Sequence, residues 1–351
     1  MPDKRVTQQD IADRAGLNRA TVSLAIRNHP SIALKTRQRV QELAEALGYR
    51  PDPMLSALAA YRNSRQAPEF RGVIAWLART TPQFQWRRIE HFMRYLEGAK
   101  RQADRLGYKI QIVDLDDQGI RWERAASILR AQGIAGILLC PQPRPDTKLE
   151  TFPWREFSAV KFGYSVTHPQ LQMVAPAQFR AAQTAVMELK ARGYQRIGFV
   201  GKRSHDERTG HNYFGGFLSA LTFDRWQELV PPCWLDTDDP QELIGWFERE
   251  KPDALMVSME YHYRVLHDHG YRAPRDFGVV CPATGDSGLS ISGVADADER
   301  IGETAVDMLV SMMHRGERDT PPSPQRLLVE GRWVEGTTLR PAPAGVLTGR
   351  G

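Results

Sequence analysis

From Gly72 onward, short apolar runs of strand length alternate with longer stretches of helical periodicity. The readable strands fall at 73–77, 110–113, 134–139, 196–200, 254–257 and 277–280. Helical patterns lie between and after them, near 88–106, 121–132, 177–192, 213–222, 240–250 and 299–315. Strands and helices that alternate in this way predict parallel α/β units, with helices packed on the faces of the sheets.

Three helical stretches end in the same way, with Gly followed by Tyr at Gly107, Gly193 and Gly270. Gly adopts the left-handed backbone conformation that closes many helices. Each Gly-Tyr pair therefore predicts the end of a helix just before the next strand or helix begins. The same helix-ending pair occurs three times in the α/β region.

A separate pattern of three short helices precedes the α/β region. Thr7 and Asp10 form the start signal of a first helix, and Gly16 ends that helix in a left-handed cap position. Asn18 is a good N-cap for a second helix, and a third is predicted from about Leu34 to Leu47. Two short helices joined by a turn that contains Gly are typical of a helix-turn-helix, although helical periodicity alone suits any small three-helix bundle.

The excess positive charge of the chain lies in this N-terminal part. Residues 1–65 hold eleven Lys and Arg against six Asp and Glu, which accounts for the whole formal charge of +5. Lys and Arg gain affinity for phosphates by releasing counterions, so a basic head on a neutral body suggests a nucleic-acid partner. A solvated basic face would give the same balance, and charge alone leaves both interpretations open.

Cysteine usage and hydropathy indicate the compartment. Cys140, Cys233 and Cys281 are far apart, and their spacing suits neither a zinc site nor a disulfide framework. The N-terminus has no apolar signal region, and no run of about 18 apolar residues occurs, so secretion and membrane spanning are not expected. We expect a cytoplasmic protein that does not act at a membrane.

An α/β sheet also occurs in nucleotide-dependent enzymes, which carry a glycine-rich phosphate loop after a strand. Neither G-x-G-x-x-G nor G-x-x-x-x-G-K-[ST] occurs in this sequence. The histidines show no H-E-x-x-H pattern, the acidic run 114–117 follows no glycine loop, and residues 285–288 lack the G-x-S-x-G elbow. The sequence therefore predicts no catalytic residue, cofactor or metal ligand, and an enzyme is the weakest hypothesis.

The N-terminal pattern carries a run of specific landmarks between residues 6 and 51. These are Val6-Thr7, Asp10-Ile11-Ala12, Ala15-Gly16-Leu17, Ala20-Thr21-Val22-Ser23, Asn28, Thr36-Arg37, Val40 and Leu47-Gly48-Tyr49-Arg50-Pro51. In these positions, without a gap, the segment resembles the DNA-binding head of the lactose-repressor (LacI/GalR) family. The resemblance implies that the second helix enters the major groove and that its first turn contacts base edges.

By this resemblance, Arg19 and Ala20 take the base-reading positions, where Arg can bind guanine and Ala can pack on a thymine methyl. The full predicted DNA-binding set is Thr7, Asn18, Arg19, Ala20, Thr21, Ser23, Arg27, Asn28 and Leu58. Leu24 departs from the family, which commonly has Arg there, so the operator cannot be taken from relatives. Ala33 stands where the family often has a Ser or Thr helix cap.

Residues 51–69 follow the head as a predicted hinge. In the family this segment becomes helical on DNA and inserts a Leu into the minor groove, and Leu58 matches that position. A linker helix that packs Leu55 and Leu58 on a dimer partner or on the body is the alternative. Pro51 and Pro53 would stiffen the start of the hinge.

The α/β region carries further landmarks at 185–201, 216–221, 272–280 and 301–306. They are similar to the effector domain of the same family, which resembles the type I periplasmic sugar-binding proteins. The resemblance implies two α/β lobes joined by three crossovers, with a ligand cleft between them. It predicts a first lobe of about residues 70–164 and 294–322, and a second of about 165–293 and 323–345.

The cleft positions differ from those of relatives that bind sugars. Where such relatives place Asp, Arg, Asn-Asp and Asp-Asp, this chain has Ala177, Tyr213, Met259-Glu260 and Ala283-Thr284. The first loop, 79–87, is long and aromatic, and aromatic faces suit stacking on a sugar or a base. The predicted effector site comprises Trp86, Tyr213, Glu260 and Tyr261, although a Trp near a strand end is more often simply packed.

The sequence thus predicts an N-terminal all-α helix-turn-helix domain (1–50), a hinge (51–69) and a two-lobed α/β effector and dimerisation domain resembling periplasmic binding proteins (70–345). We expect a homodimeric transcriptional regulator, in particular a repressor, that binds pseudo-palindromic operator DNA. Its effector is expected to be a small molecule, a sugar or a related metabolite. The altered cleft leaves open a regulator that has lost this ligand and responds to a protein partner.

Overall fold

The chain divides into two units, residues 1–69 and residues 70–351. A computed structural model describes residues 6–26, 32–49, 69–115, 122–222, 229–235, 237, 239–285 and 288–342. Unit 1 contains the helices α1 (Gln8–Ala15), α2 (Arg19–Ile26) and α3 (Leu34–Ala46). Each unit is built around its own buried apolar residues.

The three helices of unit 1 pack around a small core of Ile11, Ala12, Val22, Ala25, Val40 and Ala44. Thr7 and Asp10 form a capping box, in which the Thr7 amide donates to Asp10 Oδ2 at 2.7 Å and the Asp10 amide donates to Thr7 Oγ1 at 3.3 Å. Gly16 ends α1 with a φ of 67°, and Asn18 Oδ1 accepts from the Thr21 amide at 2.7 Å. The predicted helix-turn-helix and its caps are therefore confirmed, and Ala33 provides no side-chain cap for α3.

Unit 2 alternates strands and helices, as the sequence predicts. Its strands are β1 (Gly72–Arg79), β2 (Tyr108–Leu115), β3 (Gly136–Leu139), β4 (Thr147–Lys148), β5 (Ser158–Phe162), β6 (Val166–His168), β7 (Gln172–Pro176), β8 (Ile197–Gly201), β9 (Cys233–Trp234), β10 (Ala254–Val257), β11 (Gly278–Cys281), β12 (Ser292–Ala295), β13 (Arg326–Val329) and β14 (Arg332–Val334). Its helices are α4 (Glu90–Arg105), α5 (Trp122–Ala131), α6 (Gln178–Ala191), α7 (Arg203–Arg208), α8 (Asn212–Thr222), α9 (Pro240–Glu250), α10 (Glu260–Asp268) and α11 (Asp298–Arg315).

Two six-stranded sheets form the two lobes of unit 2. The first sheet has the order β13-β7-β5-β3-β1-β2 and the second has the order β14-β12-β11-β10-β8-β9. Neighbouring strands pair in parallel, apart from the antiparallel pair of β12 with β14. Each sheet is covered on both faces by buried side chains, with α4 and α11 on one face of the first sheet and α5 on the other. The predicted α/β architecture is confirmed.

Within the described residues, the chain crosses between the lobes three times. The crossovers lie between β7 and α6, between β12 and α11, and between β13 and β14. The predicted lobe boundaries were therefore wrong by about one strand, because β7 and β13 pair with each other in the first sheet rather than in the second. Neither strand reads as a long apolar run, since β7 ends in Pro176 and β13 begins with Arg326.

The helices α4 and α11 meet through glycines rather than through side chains. A Cβ atom on Gly302 would lie 2.0 Å from the carbonyl oxygen of Tyr95, and one on Gly98 would lie 1.9 Å from that of Glu299. Distances this short are incompatible with any side chain, so the two backbones are in direct contact. This crossing fixes how the N-termini of α4 and α11 approach each other.

We predict that Gly302→Ala destabilises unit 2 by about 3 kcal/mol or more, because the added methyl group must push two helix backbones apart. The matched control is Gly245→Ala in α9, where the added Cβ would meet nothing within 4 Å. Ala is the better helix former, so the control should gain about 0.5–1 kcal/mol. Urea unfolding followed by tryptophan fluorescence measures both, and equal midpoints for the two variants would contradict the close crossing.

Candidate functional site

The outer face of α2 carries the side chains that the sequence assigns to DNA. Arg19 and Ala20 are exposed at its first turn, while Thr21 and Ser23 are half-buried. Thr7 and Asn18 lie at the N-termini of α1 and α2, where both side chains act as caps. A helix N-terminus carries a partial positive charge and free amides, which suit contact with a phosphate.

Three members of the predicted DNA-binding set, Arg27, Asn28 and Leu58, lie outside the described residues. The described members occupy α2 or the positions that cap α1 and α2. Leu24 is half-buried on the same helix and offers no hydrogen-bonding group to a base.

In unit 2, a cavity of about 530 Å³ lies between the two lobes. Its wall contains Phe84, Phe92 and Tyr95 from the first lobe and Tyr213 and Met259 from the second. The cavity thus combines an aromatic surface with residues from both sheets. This is the volume and the composition expected of a small-molecule site.

Tyr213 and His205 form one stacked wall of the cavity. Their ring centroids are 5.9 Å apart with an angle of 9° between the planes. Burial holds the pKa of Tyr213 well above its ordinary value, so its hydroxyl stays protonated, and burial lowers the pKa of His205 to about 4. Both groups are neutral at pH 7 and can stack on a ligand or hydrogen-bond to it.

Arg208 spans the cleft from the second lobe to the first. Its guanidinium donates hydrogen bonds to the carbonyl oxygens of Gln142 and Pro143, which follow β3 in the first lobe. The guanidinium carbon also lies 5.0 Å from the centre of the Phe84 ring. Arg208 is therefore a polar link between the lobes, placed next to the cavity.

Acidic groups line the remaining part of the wall. Glu260 Oε1 accepts a hydrogen bond from the Gly285 amide at 2.9 Å. Asp296 borders the cavity, and burial raises its pKa to about 7, with a further contribution from the charge of Asp298. His91 Nδ1 lies 2.8 Å from Asp298 Oδ2.

Two of the four residues predicted for the effector site, Tyr213 and Glu260, line the cavity. Trp86 and Tyr261 do not. The Trp86 ring is fully buried in the first lobe, 6.0 Å from Trp76, and its Nε1 donates to Asp114 at 2.9 Å. Tyr261 is 44% exposed on α10, outside the cavity wall. These two residues are therefore left out of the candidate site.

Sequence reasoning missed several residues that the cavity brings together, namely Phe84, His91, His205, Arg208 and Asp296. The aromatic first loop was the correct region, but Phe84 rather than Trp86 reaches the cavity. His205 and Arg208 lie on the short helix α7, which has no clear apolar periodicity in the sequence.

Known protein families match the two units of the chain separately. The family described as bacterial regulatory proteins, lacI family, matches residues 7–52. The family described as periplasmic binding proteins and sugar binding domain of LacI family matches residues 80–259. A periplasmic binding protein-like domain matches residues 186–339.

Two curated relatives illustrate the similarity. Catabolite control protein A of Priestia megaterium is 37% identical over 288 residues, which cover 78% of this chain and 81% of the relative. The HTH-type transcriptional regulator GntR of Escherichia coli K12 is 26% identical over 341 residues, which cover 92% of this chain and 96% of the relative.

Solved structures share the fold. A complex of the transcriptional regulator CelR with cellobiose has a TM-score of 0.60 at 21% identity, over 95% of this chain and 100% of the other. The lac repressor dimer bound to operator and the anti-inducer ONPF has a TM-score of 0.56 at 19% identity, over 96% and 100%.

A helix-turn-helix unit and a two-lobed unit with a central cleft define a ligand-controlled DNA-binding regulator. The chain belongs to the LacI family of bacterial regulatory proteins, and the prediction from the sequence is confirmed. Among the described residues, no helix has the length and apolar character needed to span a membrane.

His262 provides a pH test of the second lobe beside the cavity. It is fully buried on α10, neither ring nitrogen has a hydrogen-bond partner, and burial lowers its pKa to about 3. The unfolded chain takes up this proton near pH 6.5, so stability should fall as the pH drops from 6.5 towards 3, by on the order of 4 kcal/mol.

We predict that His262→Leu removes this part of the acid destabilisation and is neutral or stabilising at pH 7, because no hydrogen bond is lost. The control is His267→Ala, which changes a partly exposed histidine on the same helix and should keep the wild-type acid slope. Urea midpoints between pH 4.5 and 7.5 measure the slopes. An unchanged slope in His262→Leu would show that His262 does not stay neutral in the folded protein.

Proposed function

We propose that unit 1 reads operator DNA through the first turn of α2, and that a small molecule bound in the cleft of unit 2 controls this binding. The exposure of Arg19 and Ala20 beside the capped N-termini of α1 and α2 is the observation that supports the first part. The cavity of about 530 Å³, lined by residues of both lobes, supports the second part. We assign residues 1–50 to DNA binding, 51–69 to the hinge and 70–345 to the effector and dimerisation domain.

On the DNA, Arg19 binds a guanine and Ala20 packs on a thymine methyl, in this proposal. Thr7, Thr21 and Ser23, together with Asn28, hold phosphates on either side of the groove, with Asn18 and Arg27 alongside. Leu58 of the hinge enters the minor groove as an apolar wedge and kinks the duplex. A homodimer places two α2 helices on the half-sites of a pseudo-palindromic operator.

In the cleft, Tyr213 and His205 offer a flat face for stacking, while Glu260 accepts hydrogen bonds. CelR, a structural neighbour, has been solved with cellobiose, and sugars or related metabolites are the ligand class that we propose. The substitution of polyol-binding positions by Ala177, Tyr213 and Ala283 favours a ligand other than a simple hexose.

Arg208 couples the ligand cleft to the relative position of the two lobes, in this proposal. A ligand that binds the closed arrangement of the lobes better than the open one stabilises the closed arrangement. The lobes then change position about the three crossovers that join them. A polar link from Arg208 to the first lobe contributes to that arrangement. The protein acts in the cytoplasm as a regulator rather than as an enzyme, in this proposal, and a cavity lined from both lobes favours a small ligand over a protein partner as its signal.

We predict that Arg19→Ala weakens binding to an operator selected from random DNA by about 5-fold to 150-fold, which corresponds to the loss of one bidentate base contact. Arg14→Ala is the matched control, because Arg14 is an exposed arginine of α1 outside the predicted contact set. Fluorescence anisotropy at fixed salt measures both variants.

The proposed recognition helix is supported if the selected DNA contains an inverted repeat. It also requires that Arg19→Ala binds this DNA more weakly, while Arg14→Ala binds it about as tightly as the wild type. Binding that falls with salt but shows no sequence preference would contradict specific operator recognition. Equal losses in the two variants would reduce the role of Arg19 to that of a general positive charge.

We predict that thermal-shift screening of the full chain with sugars, sugar derivatives and nucleobases finds a stabilising ligand, and that glucose and ribose are weak. Glu260→Gln should lower the shift, since a charged acceptor of ligand hydroxyls becomes neutral. Glu248→Gln is the control, because Glu248 lies outside the cavity on α9 and bonds Tyr271. Equal shifts in both variants would place the ligand elsewhere, and strong stabilisation by glucose or ribose would contradict the altered specificity.

A further inference from the structure

Three metal-ligating side chains from distant parts of the sequence meet at the wall of the cleft. His91 lies in the first turn of α4, Asp298 is the first residue of α11, and Asp296 lies on the crossover between β12 and α11. One ligand atom of each lies within 4.8 Å of the other two. The group is half-buried to buried, unlike the acidic clusters that commonly occur on protein surfaces.

The direct contact between α4 and α11 explains why these groups converge. Gly98 lies against Glu299 and Gly302 against Tyr95, so the start of α11 packs on the second and third turns of α4. His91 and Asp298 are thereby held together, with Nδ1 and Oδ2 2.8 Å apart. The position of the pair is set by backbone packing rather than by flexible surface side chains.

Two carboxylates in this group have unused hydrogen-bonding capacity. Asp298 is 94% buried, and its second oxygen, Oδ1, is buried without a hydrogen-bond partner. Asp296 borders the cavity, and no hydrogen bond or ion pair joins it to another residue in the part of the chain that the structure describes. A buried carboxylate oxygen nearly always has a partner, so Asp298 Oδ1 points to a cation or a donor as its partner.

We propose that His91, Asp296 and Asp298 bind a divalent transition-metal ion at the wall of the cleft. A set of one imidazole and two carboxylates suits the ions from Mn²⁺ to Zn²⁺, whereas Mg²⁺ and Ca²⁺ prefer oxygen ligands alone. Metal bonds of about 2.0–2.2 Å place neighbouring ligand atoms roughly 3.4 Å apart. Small side-chain rotations bring three atoms that already lie within 4.8 Å to that spacing.

Three protein ligands leave at least one coordination position open, as in metal sites that also bind water or a substrate oxygen. His91 and Asp296 both line the cavity, so an ion held by the three side chains would lie at its wall. An effector with hydroxyl or carboxylate oxygens could therefore bind the ion directly. The ion would also tie the crossover that carries Asp296 to the first lobe, and any effect of this on DNA affinity rests on the proposed function.

Calorimetric titration of the chelator-treated full chain with Zn²⁺, Mn²⁺ and Mg²⁺ tests the site. We expect one Zn²⁺ or Mn²⁺ per chain and much weaker binding of Mg²⁺. Asp296→Asn and His91→Ala should each lower the Zn²⁺ affinity by about tenfold or more, since each removes a ligand. His267→Ala, which changes a histidine beside Asp268 on α10, is the matched control and should bind as wild type.

Circular dichroism melting of each variant establishes that it is folded before titration. The visible absorption of bound Co²⁺ gives a second readout, and it should change in His91→Ala, because the nitrogen ligand is lost. Absence of stoichiometric binding, or equal affinity in wild type, Asp296→Asn and His91→Ala, would overturn the proposal.

The experiments can overturn the proposed metal site and the proposed regulatory function independently of each other. Binding of selected operator DNA by a chain that takes up no metal would overturn only the metal site. Metal uptake that depends on His91 and Asp296, in a chain without DNA specificity, would overturn only the proposed function and leave the site in place.

Discussion

The contact between the backbones of α4 and α11 is the constraint on which the cleft depends. Gly98 and Gly302 let the two helices approach until carbonyl groups meet Cα atoms, and any side chain there would separate them. Both helices cover the same face of the first sheet. Tyr95 of α4 and Leu309 of α11 belong there to one buried cluster with Trp76 of β1. The start of α4 lines the cavity through His91, Phe92 and Tyr95, and the crossing holds His91 beside Asp298 at the start of α11.

The wall on the side of the second lobe consists of stacked aromatic rings and a long polar side chain rather than of helices in backbone contact. Tyr213 stacks on His205, and Arg208 reaches across to the carbonyl groups behind β3. Those hydrogen bonds can form only while the lobes are close, so they contribute to one arrangement of the lobes and not to another. A cavity bounded by side chains of both lobes suits a unit whose lobes move relative to each other when a ligand binds.

Local signals made much of this fold predictable. The capping box of Thr7 and Asp10, the left-handed Gly16 and the N-cap Asn18 depend on neighbours in sequence, and all three were confirmed. The strands β1, β2, β3, β8, β10 and β11 were also predicted, because buried parallel strands read as apolar runs. The strand β5 was missed, since it contains Lys161, whose buried amine donates to the Val166 carbonyl.

Features that depend on distant residues could not be predicted from the sequence. The pair of His91 with Asp298 joins positions 207 residues apart, and only the packing of α4 on α11 brings them together. Trp86 was assigned to the cleft because it follows a strand, yet its indole finds Asp114 on β2 and turns inward. In the same loop, the Phe84 side chain lines the cavity. The periodicity of the sequence does not show which of the two aromatic residues does so.

The most direct test of ligand control is an equilibrium titration of a selected operator fragment with the full chain, with and without the ligand identified by thermal shift. The account predicts that the ligand changes the operator Kd by about 5-fold to 150-fold, in either direction, and that Tyr213→Ala abolishes this change while the Kd without ligand stays the same. An operator Kd that is the same with and without saturating ligand in the wild-type protein would contradict the account.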